Sequence, residues 1–174
     1  MNIKCIKTGF LEENCYILEK DNECLIIDPG SDFNNIKSNI KNKVIGVLIT
    51  HRHYDHIGAL EQVLNEYKVP IYEKINLDEE NYKLGNFSFN VIFTPGHTND
   101  SVTYYFYKNK VMFTGDFLFF NNIGRCDLEG GNFSEMKKSI EKIKRYDDNI
   151  KIYPGHGQTT TLAREKEKNI YFNS

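Results

Sequence analysis

The sequence predicts an α/β fold arranged as an αββα four-layer sandwich, in which two β-sheets pack together and helices cover their outer faces. Three observations favour this fold. Apolar runs of strand length occur in both halves of the 174-residue chain, segments with helical spacing lie between them, and polar residues follow where apolar strands end. Because this length is typical of one domain with a substantial core, we expect a single domain over residues 1–174.

The first half of the chain opens with predicted strands, followed by alternating helix and strand patterns. Apolar patterning places strands at Ile3–Lys7, Cys15–Glu19, Glu23–Ile27 and Val44–Thr50. A turn is expected at Asp21-Asn22, between the second and third of them. Helical spacing indicates two short amphipathic helices, carried by Phe33, Ile36 and Ile40 and by Leu60, Val63, Leu64 and Tyr67.

The second half repeats this mixture of strands and helices. Strands are predicted at Phe87–Phe93, Val102–Tyr107 and Val111–Thr114, and Ile150–Tyr153 is expected to be the last strand. A turn at Lys108-Asn109 separates two of these strands. Asn132 and Glu135 stand three residues apart as a capping pair for a helix that carries Met136, Ile140 and Ile143.

Composition narrows the class of partner. The net charge of −2 indicates no general affinity for nucleic acid or for an anionic membrane, so we expect a small-molecule partner. The N-terminal segment lacks the apolar core of a signal peptide, and no run reaches transmembrane length. The four cysteines are widely spaced, without a C-x-x-C pair. These observations favour a cytoplasmic location, and homo-oligomerisation stays open.

The strongest chemical signal is the segment His51–His56, which has the pattern H-x-H-x-D-H directly after a predicted buried strand. His51 and His53 are two residues apart, so an extended chain points both side chains to the same side. A turn after them can bring Asp55 and His56 to an adjacent position. One short segment is therefore able to supply ligands to two metal ions.

The chain has five histidines, and the two outside this segment occur in similar surroundings. His97 and His156 each follow a Pro-Gly pair at the end of a predicted strand. Proline restricts the approaching backbone and glycine permits a sharp turn, so each imidazole is presented from a defined loop. Asp116 is placed in a comparable way, after the strand that ends near Gly115.

These side chains predict a dinuclear metal site, because imidazole and carboxylate are the usual ligands of zinc, iron and manganese. We assign His51, His53 and His97 to one ion and Asp55, His56 and His156 to the other. Asp116 is the expected bridge, and with a shared hydroxide the site would carry a charge of about +1, which suits an anionic substrate or a departing thiolate. A single-metal site and a metal-binding protein without catalysis are the alternatives.

Together with further motifs, this constellation resembles the metallo-β-lactamase superfamily, and within it the type II glyoxalases (hydroxyacylglutathione hydrolases) in their short bacterial form. The motifs that carry the resemblance extend over nearly the whole chain: Asn14-Cys15-Tyr16, Asp28-Pro29-Gly30, His51–His56, Thr94–Thr98, Thr114–Asp116, Gly124–Asp127 and Pro154–Gly157.

The resemblance implies a sandwich of the metallo-β-lactamase type and a hydrolase that acts on thioesters. It implies two divalent metal ions, zinc before iron or manganese, with a bridging hydroxide that attacks the thioester carbonyl. It supports the seven ligands assigned above, of which Asp55 and Asp116 are the catalytic carboxylates. No C-terminal helical domain of the kind that holds glutathione in the long glyoxalases is expected after His156, so the thiol carrier stays open.

The resemblance also suggests roles around the metal ligands. It implies that Asp28 lies beside the ligand loop without binding metal, and a carboxylate that caps the turn at Pro29-Gly30 is compatible with this role. Arg125 and Asp127 are candidates for substrate contact, and an internal salt bridge between them is the alternative.

Several relatives in the superfamily offer competing functions. A mono-iron persulfide dioxygenase resembles this chain at Gly124-Arg125 and needs only His51, His97 and Asp116. A lactonase would use the same seven ligands as the thioesterase. β-Lactam hydrolysis is not expected as a main activity, because true metallo-β-lactamases usually carry cysteine at the position of Asp116 and lack a counterpart of His56.

Overall fold

The computed structural model describes residues 1–173, and its first sheet is formed by the N-terminal part of the chain. The strands lie side by side in chain order: β1 (Asn2–Thr8), β2 (Glu13–Lys20), β3 (Glu23–Ile27), β4 (Lys43–Leu48) and β5 (Ile71–Tyr72). Neighbours from β1 to β3 are antiparallel, whereas β4 runs parallel to both β3 and β5. Asp21 and Asn22 have positive φ between β2 and β3, which confirms the predicted turn.

The second sheet comes from the C-terminal part. Its strands are β6 (Asn81–Leu84), β7 (Phe87–Phe93), β8 (Val102–Phe106), β9 (Val111–Gly115), β12 (Lys151–Pro154) and β13 (Thr160–Thr161). They lie in the order β13-β12-β9-β8-β7-β6, with β9 and β12 parallel and the other neighbours antiparallel. Between β9 and β12 the chain forms a small hairpin of β10 (Leu118–Phe119) and β11 (Asn122–Ile123).

Helices connect and cover these sheets. They are α1 (Phe33–Asn39), α2 (Tyr54–Ile57), α3 (Leu60–Tyr67), α4 (Phe133–Ile143) and α5 (Leu162–Lys168). Short 3₁₀ segments occur at Lys74–Asn76, Tyr107–Asn109 and Ile170–Phe172. Within residues 1–173, no helix is both long and apolar enough to cross a membrane.

The layers follow from the alternation of side chains along the strands. In β3, Leu25 and Ile27 face the second sheet, whereas Cys24 and Ile26 face the helices α1 and α3. Met112 of β9 contributes in the same way to a separate apolar cluster beneath α4 and α5. The apolar residues therefore form one core between the sheets and one under each helical layer, which confirms the predicted αββα sandwich.

The predicted helices and longer strands are confirmed, but short elements escaped prediction. The expectation that Ile150–Tyr153 is the last strand is wrong, because β13 and α5 follow it in the chain. The two residues of β13 are too few to show alternation. The buried face of α5 includes Glu165, which accepts hydrogen bonds from Thr160 Oγ1 and Asn169 Nδ2, so hydrophobic spacing does not reveal this helix.

The start of α4 allows a quantitative test of the predicted capping pair. Asn132 Oδ1 accepts a hydrogen bond from the backbone N–H of Glu135 at 3.1 Å, which satisfies a donor at the start of the helix. We expect Asn132→Ala to lower the free energy of unfolding by about 1 kcal/mol in urea titrations. Asn34→Ala, at an exposed position in the first turn of α1, is the control and should change it by less than about 0.5 kcal/mol.

Candidate metal centre

The structure brings all seven predicted ligands together at one end of the sandwich. His51 and His53 follow β4, and Asp55 and His56 lie in the single turn of α2. The other ligands follow strands of the second sheet: His97 after β7, Asp116 after β9 and His156 after β12. Because these strands end at the same edge, residues more than a hundred positions apart in the chain become neighbours.

The first group consists of His51, His53 and His97. Nδ1 of His53 lies 3.2 Å from Nε2 of His51 and 2.9 Å from Nε2 of His97. The ligand atoms of these three histidines lie within 4.8 Å of one another, close enough to hold one ion. This is the set that the sequence assigned to one ion.

The second group consists of Asp55, His56 and His156. Oδ2 of Asp55 lies 3.1 Å from Nε2 of His156 and 3.8 Å from Nε2 of His56. The ligand atoms of these three side chains also lie within 4.8 Å of one another, so they form a second set able to hold an ion. It corresponds to the predicted set for the other ion.

The carboxylate of Asp116 lies between the two groups. Its Oδ2 is 3.6 Å from Nε2 of His97 in the first group and 3.7 Å from Nε2 of His156 in the second. Its Oδ1 is 3.3 Å from Nε2 of His56. Asp116 is therefore within reach of ligands from both sets, as a shared ligand must be.

The remote nitrogen of four imidazoles is engaged, which leaves Nε2 facing the centre. Nδ1 of His97 is 2.7 Å from the carbonyl oxygen of Arg125, and Nδ1 of His156 is 3.1 Å from that of Leu11. Nδ1 of His56 is 2.9 Å from Oδ2 of Asp28. In His51, Nδ1 is 3.1 Å from a threonine hydroxyl. Such contacts fix the orientation of a metal-binding imidazole.

The electrostatics of the two groups differ. Burial and the neighbouring imidazole of His56 lower the pKa of His51 well below its usual value, and burial with His97 lowers the pKa of His53. Burial also opposes charge on His56, but the carboxylates of Asp116 and Asp28 outweigh it and raise the pKa of His56. Without metal, His51 and His53 therefore favour the neutral imidazole, whereas His56 favours the protonated one.

The carboxylates of the second group show the complementary shifts. Burial acts to raise the pKa of Asp116, but His56 outweighs it and lowers the pKa below the usual value. The pKa of Asp55 is lowered against the same effect of burial, chiefly by its contact with His156. That contact in turn raises the pKa of His156 despite partial burial. Both aspartates are therefore ionised and ready to bind cations.

The donor set fits a pair of divalent transition ions. Within the described residues, Nε2 of His56 and Oδ1 of Asp116 lie buried 3.3 Å apart, and neither atom forms a hydrogen bond of good geometry. A buried polar atom without a hydrogen bond costs about 1–3 kcal/mol, and a bound cation would satisfy both atoms. Imidazole nitrogens and a shared carboxylate are instead the ligands that zinc, iron and manganese take. The cluster thus suggests a dinuclear metal site.

Comparison with known proteins agrees with this geometry. A sequence model of the metallo-beta-lactamase superfamily matches residues 8–81 and 76–156, a range that includes both ligand groups and Asp116. This chain belongs to the metallo-β-lactamase superfamily. The αββα sandwich is the fold of solved structures from this superfamily, which confirms the fold type that the sequence predicts.

Relatives within the superfamily differ in what their names state. "Probable metallo-hydrolase YqgX" of Bacillus subtilis is 31% identical over 99% of this chain and 98% of its own. "Hydroxyacylglutathione hydrolase GloC" of Haemophilus influenzae is 31% identical over 100% of this chain and 99% of its own. The crystal structure titled "BLEG-1 B3 metallo-beta-lactamase" superposes with a TM-score of 0.95 at 31% identity, covering 99% and 100% of the two chains.

Asn14 and Tyr16, which belong to one of the motifs shared with the superfamily, contact the loop that carries His156. Nδ2 of Asn14 donates to the carbonyl oxygens of Pro154 and Gly157, at 2.9 Å and 3.0 Å. The hydroxyl of Tyr16 donates to Pro154 at 2.6 Å. These bonds tie the loop that carries His156 to the first sheet.

Gly155 shows why this superfamily loop needs glycine. A Cβ atom at this position would collide with Oδ1 of Asp116 and with Cε1 of His56. The backbone before His156 therefore passes directly beneath the shared carboxylate. Any side chain there would displace a predicted ligand.

Two residues around the superfamily's metal centre were missed by sequence reasoning. Thr50 donates its backbone N–H and its hydroxyl to the carboxylate of Asp28, at 2.7 Å and 2.5 Å. Glu13 is fully buried with Oε1 3.8 Å from Nδ1 of His56, and burial raises its pKa well above the usual value. Its position directly before Asn14 was an available signal for Glu13, whereas nothing local marks Thr50.

Arg125 and Asp127 form the internal salt bridge that the sequence left as an alternative. Nε and one terminal nitrogen of Arg125 donate to the two carboxylate oxygens of Asp127, at 2.8 Å and 2.7 Å. Both side chains are exposed, and Arg125 also lines the cavity above the ligands. Asp127 is not among the described residues that line that cavity.

Asp28 gives a test of how this superfamily site orients its ligands. Asp28→Asn keeps the shape and tolerates the left-handed backbone at φ 48°, but removes the charge opposite His56. We expect binding of the ion on the His56 side to weaken by about 10–100-fold, measured by competition with a chromophoric chelator.

Asp32→Asn is the matched control for this experiment. Asp32 has the same left-handed backbone at φ 55°, but its carboxylate accepts from Gly9 at the surface and lies outside both ligand groups. Its replacement should leave metal affinity unchanged. Equal affinities for the Asp28 variant and the unaltered protein would contradict an orienting role for Asp28.

Proposed function

We propose that this protein is a dinuclear metal hydrolase that cleaves thioesters, of the hydroxyacylglutathione hydrolase type. The observation that carries the proposal is the position of Asp116 between two ligand groups whose Nε2 atoms face it. A superfamily relative that is 31% identical over the full length and named for this activity supports the same reaction class.

The residues that would hold the metals follow from the two groups. His51, His53 and His97 would bind one ion, Asp55, His56 and His156 the other, and Asp116 both. Two divalent ions held there would supply an acidified water and would polarise a carbonyl oxygen of the substrate. Zinc is the proposed metal, and iron and manganese suit the same ligands.

The protein itself contributes orientation and a confined space. A cavity of about 580 Å³ opens above Asp116, with His53, His97 and His156 exposed to it. The contacts of their remote ring nitrogens hold the imidazoles of His97 and His156 in place, so little reorganisation is needed when substrate arrives. The substrate carbonyl therefore meets a prearranged centre.

The chemistry of the carboxylates favours a thioester. Water adds its oxygen to the carbonyl carbon, the C–S bond breaks, and the products are a carboxylic acid and a thiol. Asp55 and Asp116 lie within the ligand groups and are ionised, so neither holds a proton for a leaving group. A thiolate, whose parent thiol has a pKa of about 8.5, leaves without a strong general acid. The nitrogen of an ordinary amide needs a proton from a general acid before it leaves.

The test combines metal analysis with a substrate comparison on the metal-loaded protein. We expect two metal ions per chain. We also expect hydrolysis of S-lactoyl-glutathione, measured by the release of the free thiol. A chromogenic cephalosporin, an acyl-homoserine lactone and glutathione persulfide with an oxygen electrode serve as comparison substrates.

The outcomes separate the competing functions. Preferential cephalosporin cleavage would favour the activity named for the structurally similar B3 enzyme. Preferential lactone cleavage would indicate a lactonase, and one iron per chain with oxygen uptake would indicate a dioxygenase. Any of these results would overturn the thioesterase proposal.

A further inference from the structure

The cavity above the ligands has a polar floor and apolar walls. The ligand side chains form the floor around Asp116. The apolar side chains in the wall are Leu11, Tyr54, Phe119 and Leu128. They come from different parts of the chain: the β1–β2 turn, α2, β10 and the loop after Arg125. The fold therefore assembles an apolar wall directly beside the proposed reaction centre.

Three of these large apolar wall residues are exposed, and Phe119 is half-buried. Tyr54 is 74% exposed, Leu11 45% and Leu128 41%. Scattered apolar residues on a surface need no explanation, but several of them around one concave site are typical of ligand contact. The fold leaves this apolar surface exposed to solvent, so a bound substrate is able to bury it.

The wall is fixed relative to the ligands. The carbonyl oxygen of Leu11 contacts Nδ1 of His156 at 3.1 Å, and the ring of Phe119 lies 6.2 Å from the His156 ring in an edge-on arrangement. The loop that carries Leu128 turns back through a hydrogen bond from Gly131 to its carbonyl oxygen at 2.8 Å. A group bound to this wall would thus stand at a defined distance from the centre.

The charges around the cavity do not favour a strongly anionic substrate. Apart from the histidines of the ligand groups, Arg125 is the one basic side chain among the described residues that line the cavity, and its guanidinium is already paired with both carboxylate oxygens of Asp127. Asp55 and Asp116 add negative charge to the floor when metal is absent, and two divalent ions would leave only a small positive excess. Recognition therefore depends on apolar contact more than on charge pairing.

We propose that the natural substrates carry an apolar acyl group, of aliphatic or aromatic carbon, which packs against Leu11, Tyr54, Phe119 and Leu128 while its carbonyl lies over the ligand groups. This inference rests on the proposed thioesterase function and names its substrate class. The enzyme then prefers apolar acyl thioesters to the small polar lactoyl group.

The first experiment measures kcat/KM of the metal-loaded protein for thioesters of N-acetylcysteamine, an uncharged thiol, with linear acyl groups from acetyl to octanoyl. We expect kcat/KM to rise about two- to fourfold per methylene, since a fully buried methylene corresponds to about fourfold. The double variant Leu11→Ser/Leu128→Ser should lose most of this dependence. Both positions are partly exposed, so folding is retained.

Ile75→Ser is the matched control. Ile75 is 89% exposed and lies outside the described lining of the cavity, so its loss removes a comparable apolar surface without changing the wall. The chain-length dependence of this variant should equal that of the unaltered protein.

The second experiment measures binding without turnover. Calorimetric titration with linear alkanoates, the expected products, should show octanoate binding at least tenfold more tightly than acetate, and the double variant should reduce this ratio. Turnover without any dependence on chain length, or equal dependence in the double variant, would overturn the apolar wall. If the protein hydrolyses no thioester but still binds longer alkanoates more tightly, the proposed thioesterase function is wrong. The proposed apolar contact with the cavity wall would then still hold.

Discussion

Replacement of Asp116 by alanine is expected to lower kcat/KM for thioesters by more than about 100-fold, because loss of a residue that merely orients a metal ligand already costs 10–100-fold. Asp116 contacts His97 and His156 from one oxygen and His56 from the other. Its loss therefore affects both ligand groups. Metal analysis after dialysis should show fewer than two ions per chain, and steady-state assays should show the loss in kcat.

Two further variants make this experiment specific. Asp116→Asn keeps the size of the side chain but removes its charge, so it should also fail to hold two ions tightly. Asp147→Ala removes an exposed carboxylate that pairs with Lys110 at the surface, and it should change neither metal content nor activity. Full activity in the Asp116 alanine variant would exclude a shared ligand at this position.

The two ions are expected to bind with different pH dependence. His51 and His53 have lowered pKa values, so their imidazoles stay neutral and available to bind metal at lower pH than an ordinary histidine. His56 and His156 have raised pKa values and must release protons before they bind metal. Below the pKa values of His56 and His156, each proton that the metal displaces weakens the apparent affinity for the second ion about tenfold for every pH unit. With two displaced protons, the affinity falls about 100-fold for every pH unit.

The sign of this effect follows from the groups that face His56. The carboxylates of Asp28 and Asp116 lie within 3.3 Å of its ring nitrogens, and Glu13 and Asp55 lie at 3.8 Å. The carboxylates of Asp28 and Asp116 stabilise the protonated imidazole when metal is absent, and they outweigh the opposing effect of burial. Binding of the second ion should therefore weaken as pH falls, while the first ion stays bound.

Calorimetric zinc titrations at pH 8 and pH 6 test this prediction. Each titration is repeated in two buffers of different ionisation enthalpy, so that the number of released protons is measured directly. We expect two binding events at pH 8, with proton release confined to the weaker one, and a single event at pH 6. Equal weakening of both events would contradict the assignment of protons to the second group.

Local sequence patterns were sufficient for the main features of the fold and the site. Alternation in Phe87–Phe93 and helical spacing in Leu60–Tyr67 correspond to β7 and α3 as observed. The spacing of the histidines, and the Pro-Gly pairs before His97 and His156, predicted which side chains come together. These features are readable because burial imposes a short period on the sequence, and because a metal site requires particular donor atoms.

The tertiary structure alone decided how these residues are held. The resemblance to the superfamily placed Asp28 beside the ligand loop, but nothing near His56 in the chain indicates that Glu13 lies behind it, and nothing near His156 indicates its contact with the carbonyl oxygen of Leu11. The same holds for the apolar wall of the cavity, whose members are far apart in sequence. Such contacts depend on how the two sheets pack together, and they join segments that are far apart in the chain. They therefore produce no periodic pattern within any one segment.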